Sequence, residues 1–207
     1  MMIAVDGPAA SGKGTIAKAL GRHYNLPVLD TGLLYRAVGL AVLKAGGDPD
    51  QEADALAACG FADADLNDTA LRSEAVGSLA SRVSTHQSVR QALVKRQRDF
   101  ATQPGGAILD GRDIATVIAP EAEVKLYVTA SVAARAQRRF LEMRKRGEAV
   151  TIEAIEADLA ARDARDAGRA NAPLMQARDA LVLDNSELSP EDSVSEALRL
   201  VREALGR

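Results

Sequence analysis

The 207-residue chain reads as an α/β fold, a five-stranded parallel sheet with helices on both faces, carrying a lateral insert and a helical lid. Three observations predict it. Short apolar runs alternate with helical stretches, the pattern of crossover connections on a parallel sheet. The first apolar run passes through a glycine-bounded loop straight into a helix. From Gln51 to Ala101 the pattern is helical pieces without a clear strand, which sets that stretch beside the sheet instead of within it.

Met1–Val5 is an apolar run long enough for one buried strand, and Ile16, Ala17, Ala19 and Leu20 carry apolar residues at helical spacing. Asn25–Asp30 reads as a short second strand. Thr31-Gly32 caps a helix from about Leu33 to Lys44, which Gly46-Gly47-Asp48-Pro49 breaks. Ala107–Asp110, entered through Pro104-Gly105-Gly106, is a third strand, and Glu123–Val128 a fourth. Ser131 is the N-cap of a helix through Arg146 that Gly147 stops. Thr151 caps the next, to about Ala167, with Glu153 where a negative charge suits the helix dipole. Ala180–Asp184 is the fifth strand, and Pro190 opens a closing helix to about Leu205. The chain divides into a core of about 1–35, 102–138 and 170–207, an insert of about 36–101 and a lid of about 139–169, together one domain over 1–207.

Composition bounds the function. Net charge is −3 and aromatics are 3% of residues, which argues against nucleic acid or an anionic membrane as a bulk partner. Cys59 is the only cysteine, so no disulfide forms within the chain and no cysteine-based zinc site is expected. The longest uncharged apolar run, Ala37–Leu43, is far short of a membrane span, and no cleavable leader precedes the first strand. A cytoplasmic protein follows, with a monomer as the default.

The loop between the first strand and helix is Gly7-Pro8-Ala9-Ala10-Ser11-Gly12-Lys13-Gly14-Thr15. Glycines admit conformations closed to other residues, so several N–H groups can point into one hollow, and the helix behind adds its positive dipole end. Lys13 brings a full charge to bound phosphates. A glycine-rich turn with a solvated lysine is the plainer alternative. Gly14 follows Lys13, and the hydroxyl comes one place later at Thr15; Gly-Lys-Gly-Thr resembles the loop of nucleoside-monophosphate kinases more than that of GTPases or motor ATPases.

Ligands of such sheets bind past the carboxyl ends of the strands, which directs attention to Asp30-Thr31, Asp110–Asp113, Thr129-Ala130 and Asp184–Ser186. Thr31 with Arg36 one turn later is a monophosphate grip or an ordinary cap with a surface arginine. Asp110 at a buried strand end suits magnesium, held directly or through water, or simply caps a turn. Arg135, Arg138 and Arg139 share one helical face and Arg162, Arg165 and Arg169 another. On isolated helices these read as solvated faces paired with residues such as Asp163 and Asp166. Flanking Gly147, they read as a lid that brings arginines to a transferring phosphoryl group.

Taken together these motifs resemble the bacterial cytidylate kinases over nearly the full length. The resemblance rests on Asp6–Thr15, Leu29–Arg36, Val89–Arg98, Asp110–Val117, and Arg162–Arg169 with Ala172-Pro173-Leu174. It implies the P-loop kinase fold and magnesium-dependent transfer from ATP to CMP or dCMP. By the family pattern the phosphate loop and Thr15 serve ATP and its metal ion. Thr31, Arg36, Arg112 and Arg162 would hold the CMP phosphate, Ser81, Arg90 and Asp113 would read the base, and Asp166 with Arg169 would touch the ribose. Arg165 would reach the transferring group, with Arg135 and Ser186 on the ATP side. A carboxylate suits the cytosine amino group, and an arginine and a hydroxyl suit its acceptors; uracil reverses two of those roles. The insert between Pro49 and Ser81 is shorter than the family pattern and lacks its alternating strand pair; Leu66–Glu74 is what remains. Phosphorylation of UMP or another small metabolite, and a noncatalytic nucleotide-binding regulator, are the other readings.

Overall fold

A computed structural model describes residues 1–206 and contains five strands, β1 (Met2–Asp6), β2 (Val28–Asp30), β3 (Ala107–Gly111), β4 (Val124–Thr129) and β5 (Leu181–Asp184). They form one parallel sheet in the order β2-β3-β1-β4-β5. The chain divides into two compact units, one of Met1–Val28 with everything from Ala101 onward, the other of Leu29–Phe100.

In the first unit β1 is central because its residues are apolar on both sides: Ile3, Ala4 and Val5 are all fully buried. Ile3 and Val5 face a cluster with Leu126 and Val128 of β4 and Leu183 of β5. Over it lie Ile16, Ala17 and Leu20 of helix α1 (Lys13–Tyr24) and Ala197 and Val201 of helix α8 (Pro190–Ala204). Each large aliphatic side chain buried there contributes about 1.5–3 kcal/mol. The intervening Ala4 and Leu109 are equally buried on the opposite side. A π-helical turn, Ile114–Ile118, packs against β1 and β3.

Helices α6 (Val132–Lys145) and α7 (Ile152–Ala167) pack on each other through Ala136, Met143, Ile155 and Leu159. Their starts follow from local hydrogen bonds: Ser131 Oγ accepts from Ala134 N, and Thr151 Oγ1 from Ala154 N, both at 3.2 Å.

The second strand is shorter than the Asn25–Asp30 stretch expected of it. Asn25 adopts a left-handed conformation (φ 52°) as the cap of α1, and Leu26 N turns back to Gly21 O at 2.9 Å, so pairing begins only at Val28.

The second unit is helical: α2 (Thr31–Lys44), α3 (Glu52–Ala57), α4 (Glu74–Val83) and α5 (Gln87–Ala101, whose last residue opens the return to the first unit), with 3-10 turns at Asp63–Asn67 and Thr69–Arg72. Leu34, Val38, Val42, Ala80, Val83, Val89 and Leu93 make its core. Helix α2 begins at Thr31 itself, with Asp30 as its N-cap, one turn position earlier than Thr31-Gly32 as a cap would give. Among the described residues, no helix is long and apolar enough to cross a membrane.

Candidate active site

Parallel pairing sets Val5 beside Asp110, Asp6 beside Gly111 and Tyr127, and Thr129 beside Asp184, so four strands end together. The loop Gly7–Thr15 leaves from the middle of that edge. At Gly7 a Cβ would stand 2.0 Å from Val128 O, so no other residue fits between the loop and β4. Ala10 (φ 58°) and Gly12 (φ 85°) are both left-handed; for alanine that costs on the order of 1 kcal/mol and persists only because the surroundings impose it. No side chain caps α1 with a hydrogen bond, so the first N–H groups of the helix are left to the loop itself and to what binds there. Ser11 Oγ is buried and has no hydrogen-bond partner among the described residues, the condition of a hydroxyl that a ligand oxygen would satisfy.

Asp110 is 4% exposed at the end of β3, and Lys13 Nζ lies 3.8 Å from its Oδ1. Lys13 Nζ also donates to Pro8 O at 3.4 Å. Among the described residues no three His, Cys, Asp or Glu side chains gather into a metal cluster. Magnesium does not need one: it uses one or two carboxylates, waters and substrate phosphates. The buried Asp110 carboxylate, with Thr15 in the first turn of α1, fits that donor set.

The adjacent turn is held from beneath. Asp6, buried at the end of β1, accepts from Ile114 N (2.9 Å) and Ala115 N (2.8 Å), directly after Arg112-Asp113. Burial pushes its carboxyl up to about 6, against the pull of those two N–H groups, with Asp113 and Asp110 adding to the rise. Asp113 is itself buried.

Arg112 Nε donates to Asp166 Oδ2 at 2.8 Å, and Arg169 donates to the other oxygen of Asp166. Arg162, buried, lies 3.7 Å from Asp158 Oδ2. Burial pushes the Asp166 carboxyl up, but Arg112, Arg169 and Arg162 together hold it below the usual carboxylate range. Burial lowers the pKa of Arg162, Asp158 opposing and Arg112 reinforcing that shift. Arg112 and Arg169 thus share the Asp166 carboxylate, with Arg162 close enough to act on it. Arg165 stands partly exposed in the last turn of α7.

On the other arginine face the pairing with Asp163 that the sequence allowed is present, but the face is turned inward and not to solvent. Arg135 is 3% exposed and donates to Ala130 O (2.9 Å), Ala9 O (3.1 Å) and both oxygens of Asp163, at 3.2 and 2.6 Å. Arg138 donates to Asn185 Oδ1 at 3.0 Å and to Asn185 O. These two guanidinium groups therefore turn inward and join α6 to α7, the phosphate loop and the end of β5, while Arg139 is partly exposed. Ser186 Oγ accepts from Ser131 N (2.8 Å) and donates to Asp184 Oδ1 (2.6 Å), tying β5 to the start of α6.

In the second unit Thr31 is buried in the first turn of α2, and Arg36 Nη1 donates to Leu71 O (2.7 Å) and Ser73 O (2.9 Å). Ser81 and Arg90 are both buried; Ser84 Oγ donates to Ser81 O at 3.0 Å, and Arg90 Nη1 to Ser84 O at 3.4 Å. The Arg90 guanidinium lies 5.5 Å from the centre of the Tyr35 ring, a cation–π contact. Ser81 and Arg90, singled out from sequence, thus meet through Ser84, which sequence reasoning missed. Asp6 and Asn185 it named only within longer stretches, Asp6–Thr15 and Asp184–Ser186, and gave neither a role. A carboxylate closing a buried strand was a signal for Asp6; for Asn185 there was only its place at a strand end.

A family model described as cytidylate kinase matches residues 3–203. A cytidylate kinase of Caulobacter sp. (strain K31) is 51% identical over 207 residues, 100% of this chain and 96% of that protein. One of Azorhizobium caulinodans is 52% identical over 206 residues, 100% of each. The crystal structure of an uncharacterized protein from Eubacterium ventriosum superposes with a TM-score of 0.57 at 13% identity, covering 100% of this chain and 99% of that one, a likeness of fold alone.

Proposed function

The chain belongs to the cytidylate kinase family, and from that premise we propose how its residues divide the work of transferring a phosphoryl group from ATP to CMP or dCMP. The chain is a nucleoside-monophosphate kinase that forms ADP and CDP or dCDP, a step of pyrimidine nucleotide metabolism. Such a transfer needs positioning and charge neutralisation and no covalent intermediate.

Gly7–Thr15 cradles the ATP phosphates with backbone N–H groups, Ser11 Oγ and Lys13. Arg135 serves the same side by holding the Ala9 carbonyl, and Ser186 by setting the start of α6. Magnesium, when bound, neutralises charge between the phosphates; Asp110 and Thr15 would hold it, directly or through water. On the acceptor, Thr31, Arg36, Arg112 and Arg162 bind the CMP phosphate. Ser81, Arg90 and Asp113 read the base, and Asp166 and Arg169 bind the ribose. Lys13, Arg112, Arg162 and Arg165 carry the catalysis, answering the negative charge that shifts between donor and acceptor oxygens. In domain terms this assigns acceptor binding to an insert of about 36–101 and closure to a lid of about 139–169, on a core of about 1–35, 102–138 and 170–207. A cytoplasmic monomer is the proposed working unit.

The observation that carries the reading is the meeting of Lys13 and Asp110, 3.8 Å apart, where β3 ends and the phosphate loop enters α1. The test is ADP release from Mg·ATP with CMP, dCMP, UMP, AMP and GMP offered singly. Turnover with CMP and dCMP and little with the others is expected. Turnover with UMP alone would sink the assignment of Ser81, Arg90 and Asp113 as cytosine readers, and ATP binding without turnover on any acceptor would sink the catalytic roles.

A further inference from the structure

A phosphate loop that turns N–H groups inward turns carbonyls of the same segment outward, and each buried carbonyl needs a donor of its own. Here those donors are side chains. Lys13 Nζ serves Pro8 O (3.4 Å), Arg135 Nη1 serves Ala9 O (3.1 Å), and Asn185 Nδ2 serves Ser11 O (2.9 Å). The last comes from 174 residues away and belongs to no part of the transfer described above.

Asn185 is 2% exposed and its orientation is over-determined. Its backbone N–H donates to Thr129 O at 2.9 Å, at the end of β4. Its Oδ1 accepts from Arg138 Nη1 at 3.0 Å, and its backbone oxygen from Arg138 Nη2. Arginine can only donate, so the amide oxygen must face Arg138, which leaves the amide nitrogen to face Ser11 O. The Cβ absent from Gly12 would stand 3.3 Å from that nitrogen, so the amide packs against the loop's left-handed residue as well as bonding beside it.

We propose that Asn185 is a positioning residue for the ATP phosphates: through Ser11 O it sets the peptide that carries the loop from Ser11 into Gly12, and Arg138 sets Asn185. Helix α6 therefore reaches the phosphate loop twice, directly from Arg135 to Ala9 O and through the amide of Asn185 from Arg138 to Ser11 O. The inference rests on reading this loop as the ATP site and adds the residue that holds its shape.

The test is nucleotide affinity by titration calorimetry on the full chain. Asn185→Asp is nearly isosteric and keeps an acceptor for Arg138, but opposes a carboxylate oxygen to Ser11 O. The Kd for ATP is expected to rise at least tenfold, on the order of a lost hydrogen bond with its partner left buried, with the Kd for CMP within twofold of wild type. Arg138→Met keeps the donor but frees the amide to rotate, and is expected to raise the Kd for ATP about threefold. An ATP affinity within twofold of wild type in Asn185→Asp overturns the proposal, as does an equal loss of ATP and CMP affinity. If Asn185→Asp does not fold, Arg138→Met decides alone, an unchanged Kd for ATP overturning it. Failure of the acceptor reading would show differently, as a wild-type chain that takes ATP but not CMP.

Discussion

The Cβ that Gly14 lacks would stand 3.1 Å from Oδ2 of Asp110, while Lys13 Nζ lies 3.8 Å from the other oxygen of the same carboxylate. The glycine after the loop lysine is thus a spacer for the buried acid. In Gly14→Ala the helix gains about 0.5–1 kcal/mol of propensity, but the carboxylate must shift by a few tenths of an ångström. The melting temperature should hold or rise slightly, while the magnesium concentration for half-maximal turnover rises about tenfold, as for other disturbed ligand placements. An unchanged magnesium dependence would remove Asp110 from the metal's ligands.

Lys13→Ala should lower kcat by about 10²–10³-fold, the range for deleting one group that answers transition-state charge. Circular dichroism should show the fold retained, because the hydrophobic cluster around β1 does not include Lys13. Turnover within a few-fold of wild type would overturn the assignment of the phosphate loop.

Asp113→Ala separates base reading from ATP binding. The residue is buried, and a site built to hydrogen-bond its ligand loses strongly when one partner is removed. KM for CMP should rise about 10–100-fold with the Kd for ATP within threefold. Equal losses for both nucleotides would assign Asp113 to the fold of its turn instead.

What the sequence made legible was local. The strand–loop–helix opening, the caps at Ser131 and Thr151, and the apolar spacing of Ile16, Ala17 and Leu20 each leave a signature within a few residues, and each element lies where that signature puts it. The inward turn of Arg135 and Arg138 left none. A run of arginines on a helix looks the same whether it faces water, a nucleotide or Asp163 and Asn185, and the choice is made by partners 28 and 47 residues away. Asp6 and Asn185 belong to the same class: their partners lie 108 and 174 residues away, and such bonds have no period to detect.

Asp6 makes a prediction whose sign is fixed by its burial. Its carboxyl is pushed up to about 6 in the folded chain from an ordinary value of 3.8. Below pH 3.8 the folded and unfolded states both hold the proton, and well above 6 neither does. Between those limits the folded state binds more protons, so the contribution of Asp6 to stability falls as pH rises through the window, by about 3 kcal/mol in all. Asp6→Asn cannot ionise. It also offers one acceptor oxygen to the two N–H groups of Ile114 and Ala115 that the carboxylate now serves, a loss of about 1–3 kcal/mol at every pH. The variant should therefore melt furthest below wild type near pH 4.5, and the gap should shrink by several degrees by pH 7.5. Melting curves of both proteins across that range decide it: a flat gap would mean that Asp6 ionises normally in the fold, and a widening one that the two backbone N–H groups outweigh its burial.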